Sequence, residues 1–300
     1  MMRYNSLNNY LREKFGKKVY KISIDGGFTC PNRDGTLDSR GCIFCSQRGS
    51  GDFTPDKNLS VTQQIEEGKK RVISKTNDNA FIAYFQAFTN TYAPVNVLKE
   101  LFYEAINHKD IVALSIATRP DCVGEEVLSL LKELNKIKPV WVELGLQTTK
   151  ESSVKYIRRA YDTSVYAQTA EKLKNVGIEV ITHIILGLPG ETKEDMLNSV
   201  KFAGKYTDGI KLQLLHILKG TDLYTEYMKG KFKALTLEEY VDILCDCINI
   251  LPKNVVIHRL TGDGDKELLV APLWSGNKKN VLNTINKALE ERNILQGSKA

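Results

Sequence analysis

No stretch of the 300 residues approaches the roughly 18 consecutive apolar residues that a membrane-spanning helix requires. The opening segment, MMRYNSLNNYLREKFGKKVY, is polar and amphipathic and carries no apolar core ahead of a small-residue cleavage site, so we expect no secretion, no membrane association and a cytoplasmic location. Cysteine is also scarce: six residues in so long a chain, three of them within sixteen positions, fit metal ligation in a reducing compartment better than a disulfide framework. The sequence has no RGG tract, zinc knuckle, polybasic tail, low-complexity segment or long repeat. Its net charge of +6 still suits an anionic partner, because a basic surface attracts nucleic acid through phosphate contacts.

The crowded cysteines are Cys30, Cys42 and Cys45, in CPNRDGTLDSRGCIFC, a C-x11-C-x2-C spacing with no fourth thiol nearby. Three thiolates suit a four-iron cluster with one iron left open to a ligand that is not protein. Zinc is the competing reading, and it needs a fourth ligand supplied by folding, since the four histidines lie far along the chain. Cys122, Cys245 and Cys247 read as buried structural thiols; the last two lie two apart on a predicted helix and point to different faces.

Behind the cysteine loop, Val- and Ile-rich runs alternate with stretches of helical period, the pattern of βα units and a parallel sheet. Predicted strands are 18–24, 81–87, 111–117, 140–147, 179–186 and 209–215. The helices that follow them are 62–73, 95–107, 125–135, 163–175, 193–205 and 237–251. Thr192 with Asp195, and Thr236 with Glu239, read as capping boxes. A strand at 255–260 and a helix at 279–292 complete the pattern, too little for an eight-unit barrel. The expected fold is an α/β partial (β/α)6 TIM-type barrel at 18–253, with extensions at 1–17 and 254–300, the latter closing the barrel. Loops after barrel strands gather on one face, which places the glycine-rich cysteine loop, 25–60, at the mouth.

The cysteine spacing after the first strand, an aromatic residue at Phe44 and the six βα units resemble the radical S-adenosylmethionine (SAM) superfamily. In order along the chain, CPNRDGT, RGCIFC, YFQAFTNTYAP, TRPDC, ELGLQT, HIILGLPGET and LHILKGT resemble more closely the bacterial YtqA/YhcC family. That family belongs to the branch shared with the radical domain of Elongator and with oxygen-independent coproporphyrinogen oxidase.

The resemblance implies a [4Fe-4S] cluster on Cys30, Cys42 and Cys45, with SAM on the open iron. It also implies an electron donor such as flavodoxin or ferredoxin, and a deoxyadenosyl radical that abstracts a substrate hydrogen. Phe44 belongs to the implied cofactor site. Gln86 and Thr89 would hydrogen-bond the cofactor's amino or carboxylate group, with Phe88 as a wall. Glu143 and Gln147, on one strand face with Gly145, would meet ribose hydroxyls. Arg159 would clamp the cofactor carboxylate, and His183 would face the adenosine. His183 and Ala117 depart from the coproporphyrinogen oxidase pattern, which has aspartate and glutamate there, so that enzyme's whole constellation does not transfer. Gln213, His216 and Lys219 are substrate candidates. Trp274, Lys278 and Lys279 lie in a stretch that reads either as a lid meeting a base and phosphates or as a cap closing the barrel.

The leading expectation is an enzyme that modifies the wobble-uridine side chain of transfer RNA (tRNA), from carboxymethylaminomethyl to aminomethyl. The alternatives are a radical enzyme acting on a small molecule such as a porphyrin-type carboxylate, and a non-catalytic iron–sulfur or zinc module that docks nucleic acid.

Overall fold

The computed structural model describes residues 3–49, 51, 54–72, 78–262 and 264–300. Ile73, at the predicted end of one helix, lies outside them, as do Asp263 and three positions of the cysteine loop, 50, 52 and 53. Seven strands form one parallel sheet in the order β1 (Tyr20–Ile24), β2 (Phe81–Phe85), β3 (Ile111–Thr118), β4 (Val140–Gln147), β5 (Glu179–Leu186), β6 (Gly209–Leu214) and β8 (Val256–Arg259). Chain order and sheet order agree, so the sheet curls progressively into a partial barrel instead of switching direction at its middle. The seventh strand falls in the stretch assigned above to the C-terminal extension. A small antiparallel pair, β7 (Ile217–Leu218) with β9 (Leu269–Ala271), sits beside the mouth.

Helices α2 (Val61–Val72), α3 (Val95–Asn107), α4 (Glu125–Asn135), α6 (Thr163–Asn175), α7 (Lys193–Ala203) and α9 (Leu237–Ile250) follow the strands and cover their outer face. Both capping boxes form: Thr192 and Thr236 accept from the backbone N–H of Asp195 and Glu239, whose carboxylates bond back. α1 (Leu7–Phe15), α5 (Glu151–Tyr156), α8 (Asp222–Met228) and α10 (Lys278–Glu291) complete the set. Of these, α1, α5 and α8 have no counterpart among the predicted helices.

Strand alternation divides the barrel interior into layers. At the N-terminal end, Ile82, Ala113, Trp141 and Ile181 pack with Leu11 of α1, against which Tyr10 stacks on Trp141 with ring centroids 6.1 Å apart. This apolar plug closes one end of the barrel. Two residues further along each strand come Tyr84, Ser115, Glu143 and His183, and β6 adds Lys211. The next step brings Gln86, Ala117 and Gly145 to the mouth. A buried cluster of Ile43, Ile157, Ile185, Leu188, Leu215 and Leu223 then fastens the cysteine loop to α5 and α8.

Candidate radical site

One cavity of about 290 Å³ opens at the C-terminal ends of the strands, and all three loop cysteines line it with Phe44, Gln86, Phe88, Thr89, Glu143, Gln147, Arg159 and His183. Sequence reasoning and folding thus bring the same residues to one place.

The loop is held by its own backbone. Arg33 donates from Nη2 to the carbonyls of Cys45 at 3.0 Å and Ser46 at 2.6 Å, and from Nη1 to Gln47 at 3.3 Å, while its guanidinium lies 5.6 Å from the Phe88 ring centroid. Gly41 lets the chain pass: at φ +75° a side chain is strained there, and a Cβ would meet Arg33 Nε at 2.8 Å. Asn32, fully buried, donates from Nδ2 to the Arg158 carbonyl at 2.7 Å and lies 3.5 Å from Cys42 Sγ. Neither Asn32 nor Arg33 was singled out from the sequence, although both stand in the CPNRDGT motif.

Do the thiols suit a cluster? Burial, Cys45 and Cys30 push the Cys42 thiol up to about 12, which places the three sulfurs within electrostatic reach of one another. Yet the only trio of described His, Cys, Asp and Glu side chains with ligand atoms all within 4.8 Å is Glu66, His108 and Asp110. A single zinc with Zn–S bonds of about 2.3 Å would hold its sulfurs about 3.8 Å apart. Three thiols around a shared cavity, not all within 4.8 Å of one another, fit a cluster that gives each sulfur its own iron. The Glu66 trio is already served by a cation, since Lys69 Nζ lies 2.8 Å from Glu66 and 2.5 Å from Asp110.

The chain belongs to the radical SAM superfamily. The superfamily's model matches residues 39–203, and the model described as the Radical_SAM C-terminal domain matches 207–291. YtqA of Bacillus subtilis (strain 168) is 48% identical over 296 residues, covering 98% of this chain and 92% of YtqA. The tRNA uridine(34) acetyltransferase of Methanocaldococcus jannaschii is 27% identical over 195 residues, covering 64% of this chain and 35% of that protein. The solved archaeal Elp3 of Methanocaldococcus infernus, with residues 1–46 deleted, superposes with a TM-score of 0.71 at 19% identity, covering 93% of this chain and 64% of that one. This radical SAM enzyme therefore uses a [4Fe-4S] cluster and SAM, and Cys30, Cys42 and Cys45 are the residues that would hold the cluster.

Two expected cofactor residues, Glu143 and Arg159, have polar partners within the chain itself. Glu143 accepts from Lys21 Nζ and Ser115 Oγ, both at 2.6 Å, on one oxygen, and from His183 Nε2 at 2.6 Å and Lys211 Nζ on the other. A carboxylate offers about four lone-pair sites. Here the chain itself supplies four donors. Arg159 is likewise consumed: it donates to the carbonyls of Leu146 at 2.7 Å, Thr148 at 2.8 Å and Tyr161 at 3.1 Å and to Thr163 Oγ1 at 3.0 Å. Through these four bonds the guanidinium locks the turn after β4, and one N–H remains beyond them.

The remaining candidates sit at the mouth. Thr89 is buried and its N–H donates to Thr29 O at 3.2 Å, tying the end of β2 to the cysteine loop. Phe88, at φ +59°, turns against Gly49, where an added Cβ would meet its ring at 2.3 Å. Strand alternation fails at Gln147, which follows a register shift and adopts φ +59°; its amide oxygen lies 3.3 Å from the Tyr161 hydroxyl. Gln213 and His216 also line the cavity, whereas Lys219 is not among its lining residues. Trp274 stands apart, with its indole N–H on Leu235 O at 3.0 Å and its ring 5.6 Å from Tyr240, as a cap on α9 would.

Sequence reasoning named Glu143 and His183 but missed the two lysines of the cavity floor. Burial opposes the Glu143 charge, but Lys21, Lys211 and the hydrogen bond from His183 outweigh it and hold the carboxyl well below the usual range. Burial and the Lys211 cation push His183 down to about 4, so it is neutral and donates from Nε2. Lys211 is pushed down to about 7 by burial, with Lys21 and Arg259 acting against the opposing pull of Glu143. The available signal was a lysine inside each of two apolar strands, YKISI and GIKLQL.

Proposed function

We propose that the chain modifies the wobble-uridine side chain of tRNA, taking the carboxymethylaminomethyl group to aminomethyl. The observation that carries this reading is the likeness, over 195 residues, to a protein named for action at tRNA uridine 34. The net charge of +6 supports a polyanionic substrate. When bound, the cluster and SAM supply a deoxyadenosyl radical that removes a substrate hydrogen.

The chain's own residues confine that chemistry. The plug of Trp141, Ile82, Ala113 and Ile181 under α1 packs the far end of the barrel and limits the entry of water and competing hydrogen donors there. Gln86 and Thr89 are positioned at the end of β2 for the cofactor's amino and carboxylate groups, Phe44 and Phe88 for its walls, and Gln147 for a ribose hydroxyl. His183 holds the floor toward the adenosine. A small flavodoxin- or ferredoxin-type protein supplies the electron.

Mass spectrometry of tRNA nucleosides from cells lacking the gene tests the proposal. We expect the carboxymethylaminomethyl nucleoside to accumulate and its aminomethyl descendants to disappear. An unchanged wobble-uridine profile would sink it.

A further inference from the structure

Two lysines share one carboxylate beneath the cavity, and their surroundings differ. Lys21 retains 18% side-chain exposure and lies over the Tyr84 and Trp141 rings at 4.7 and 5.6 Å from their centroids. Lys211 retains 5% exposure, lines the cavity, and places Nζ 3.0 Å from the Tyr84 hydroxyl and 4.5 Å from that ring's centroid. The charged and titratable groups around it come from every neighbouring strand: Lys21, Tyr84, Glu143, His183, His258 and Arg259. One carboxylate cannot fully compensate two ammonium groups out of water, and desolvation drives the more buried of the two toward its neutral, nucleophilic amine.

We propose that Lys211 is a nucleophilic amine that captures a small aldehyde or 2-oxo acid in this cavity as a Schiff base. The nitrogen lone pair adds to the carbonyl carbon and a carbon–nitrogen bond forms. The carbonyl oxygen then leaves as water with the two amine hydrogens, so the step needs no oxidant or reductant. The Tyr84 hydroxyl, 3.0 Å from the nitrogen, stands within reach to pass the protons to the departing oxygen, while Glu143 stays ionised between Lys211 and Lys21. Nothing in this chemistry depends on the tRNA reading, so either can fail without the other.

Full-length, cluster-reconstituted protein is incubated anaerobically at pH 7 with glyoxylate and cyanoborohydride, then digested and mapped by mass spectrometry. An ordinary lysine is neutral in only about one molecule in 2,500 at pH 7, so Lys211 should be labelled at least about tenfold faster than the surface lysines despite its limited access. Its labelling should rise through a midpoint near pH 7. Lys211→Arg should remove this one carboxymethyl increment, and Lys21→Gln should slow labelling of Lys211 at pH 7 several-fold. Labelling spread over surface lysines, with the Lys211 peptide unmodified in protein that retains its cluster absorbance, overturns the proposal. Because the wild-type peptide map decides the matter alone, a variant that fails to fold does not block the test.

Discussion

The rim and the floor of the cavity are built in opposite ways. At the rim, Cys30, Asn32, Arg33, Cys42 and Cys45 come from sixteen consecutive positions, and many of their contacts are to backbone carbonyls of that same loop. At the floor, Lys21, Tyr84, Ser115, Glu143, His183 and Lys211 come one from each of six successive strands, and they are held by charge, side chain to side chain. A local loop can be damaged locally, whereas a charge network spanning six strands ties the integrity of the site to that of the barrel.

The largest effect separates the two cleanly. Replacing any one of Cys30, Cys42 or Cys45 by alanine should abolish the iron–sulfur absorbance and the cleavage of SAM to deoxyadenosine, while urea denaturation of the metal-free chain changes little. A cysteine variant that still cleaves SAM at the wild-type rate would break the assignment of the rim.

The reverse pattern is expected of the floor. Glu143→Ala leaves the buried Lys211 and the partly exposed Lys21 without their anion, which should cost about 3–5 kcal/mol of stability in urea denaturation. Glu143→Gln, which keeps the shape, should cost less. A loss below about 1 kcal/mol for the alanine variant would show that water already screens the lysines.

The floor also has a pH signature. His183 is depressed from 6.5 to about 4 in the folded protein, so the unfolded chain binds the proton first as pH falls. The contribution is therefore fully present above pH 6.5 and is lost progressively down to about pH 4, at a slope of up to about 1.4 kcal/mol per pH unit. Lys211, depressed from 10.5 to about 7, is lost over a separate window as pH falls from 10.5 to 7. His183→Gln should flatten the stability curve between pH 6.5 and 4 and leave the alkaline window in place. Equal slopes in the variant and the wild type would contradict the buried neutral histidine.

The same contrast explains what could be read before folding. The cysteine spacing and the CPNRDGT and RGCIFC stretches are contiguous, and strand periodicity recovers six strands and the cavity's mouth. The floor is not contiguous: Lys21 and Lys211 are 190 positions apart and meet only because β1 and β6 face each other across the curl. Glu143 was visible as an inward-facing residue of β4. Its partners Lys21, Ser115 and Lys211 were not, because each lies on a different strand. The partners of Arg159 were hidden for a related reason, since a one-dimensional spacing does not reveal that the carbonyls of Leu146 and Thr148 are aimed at its guanidinium.

The smallest effect tests whether the rim needs geometry or only charge. Arg33→Lys keeps a cation near Phe88 but loses the planar fork that reaches the carbonyls of Cys45, Ser46 and Gln47 together. One or two charged hydrogen bonds at a half-exposed site are worth about 1–3 kcal/mol, and the ammonium recovers part of that. We expect a global stability change near 1 kcal/mol, read by denaturation, but a several-fold faster loss of iron to a chelator, because the Cys42–Cys45 turn is freed on one side. If iron loss is unchanged while stability falls, the fork supports the barrel and not the cluster loop, and the boundary between rim and floor moves to Asn32 and its bond to the Arg158 carbonyl.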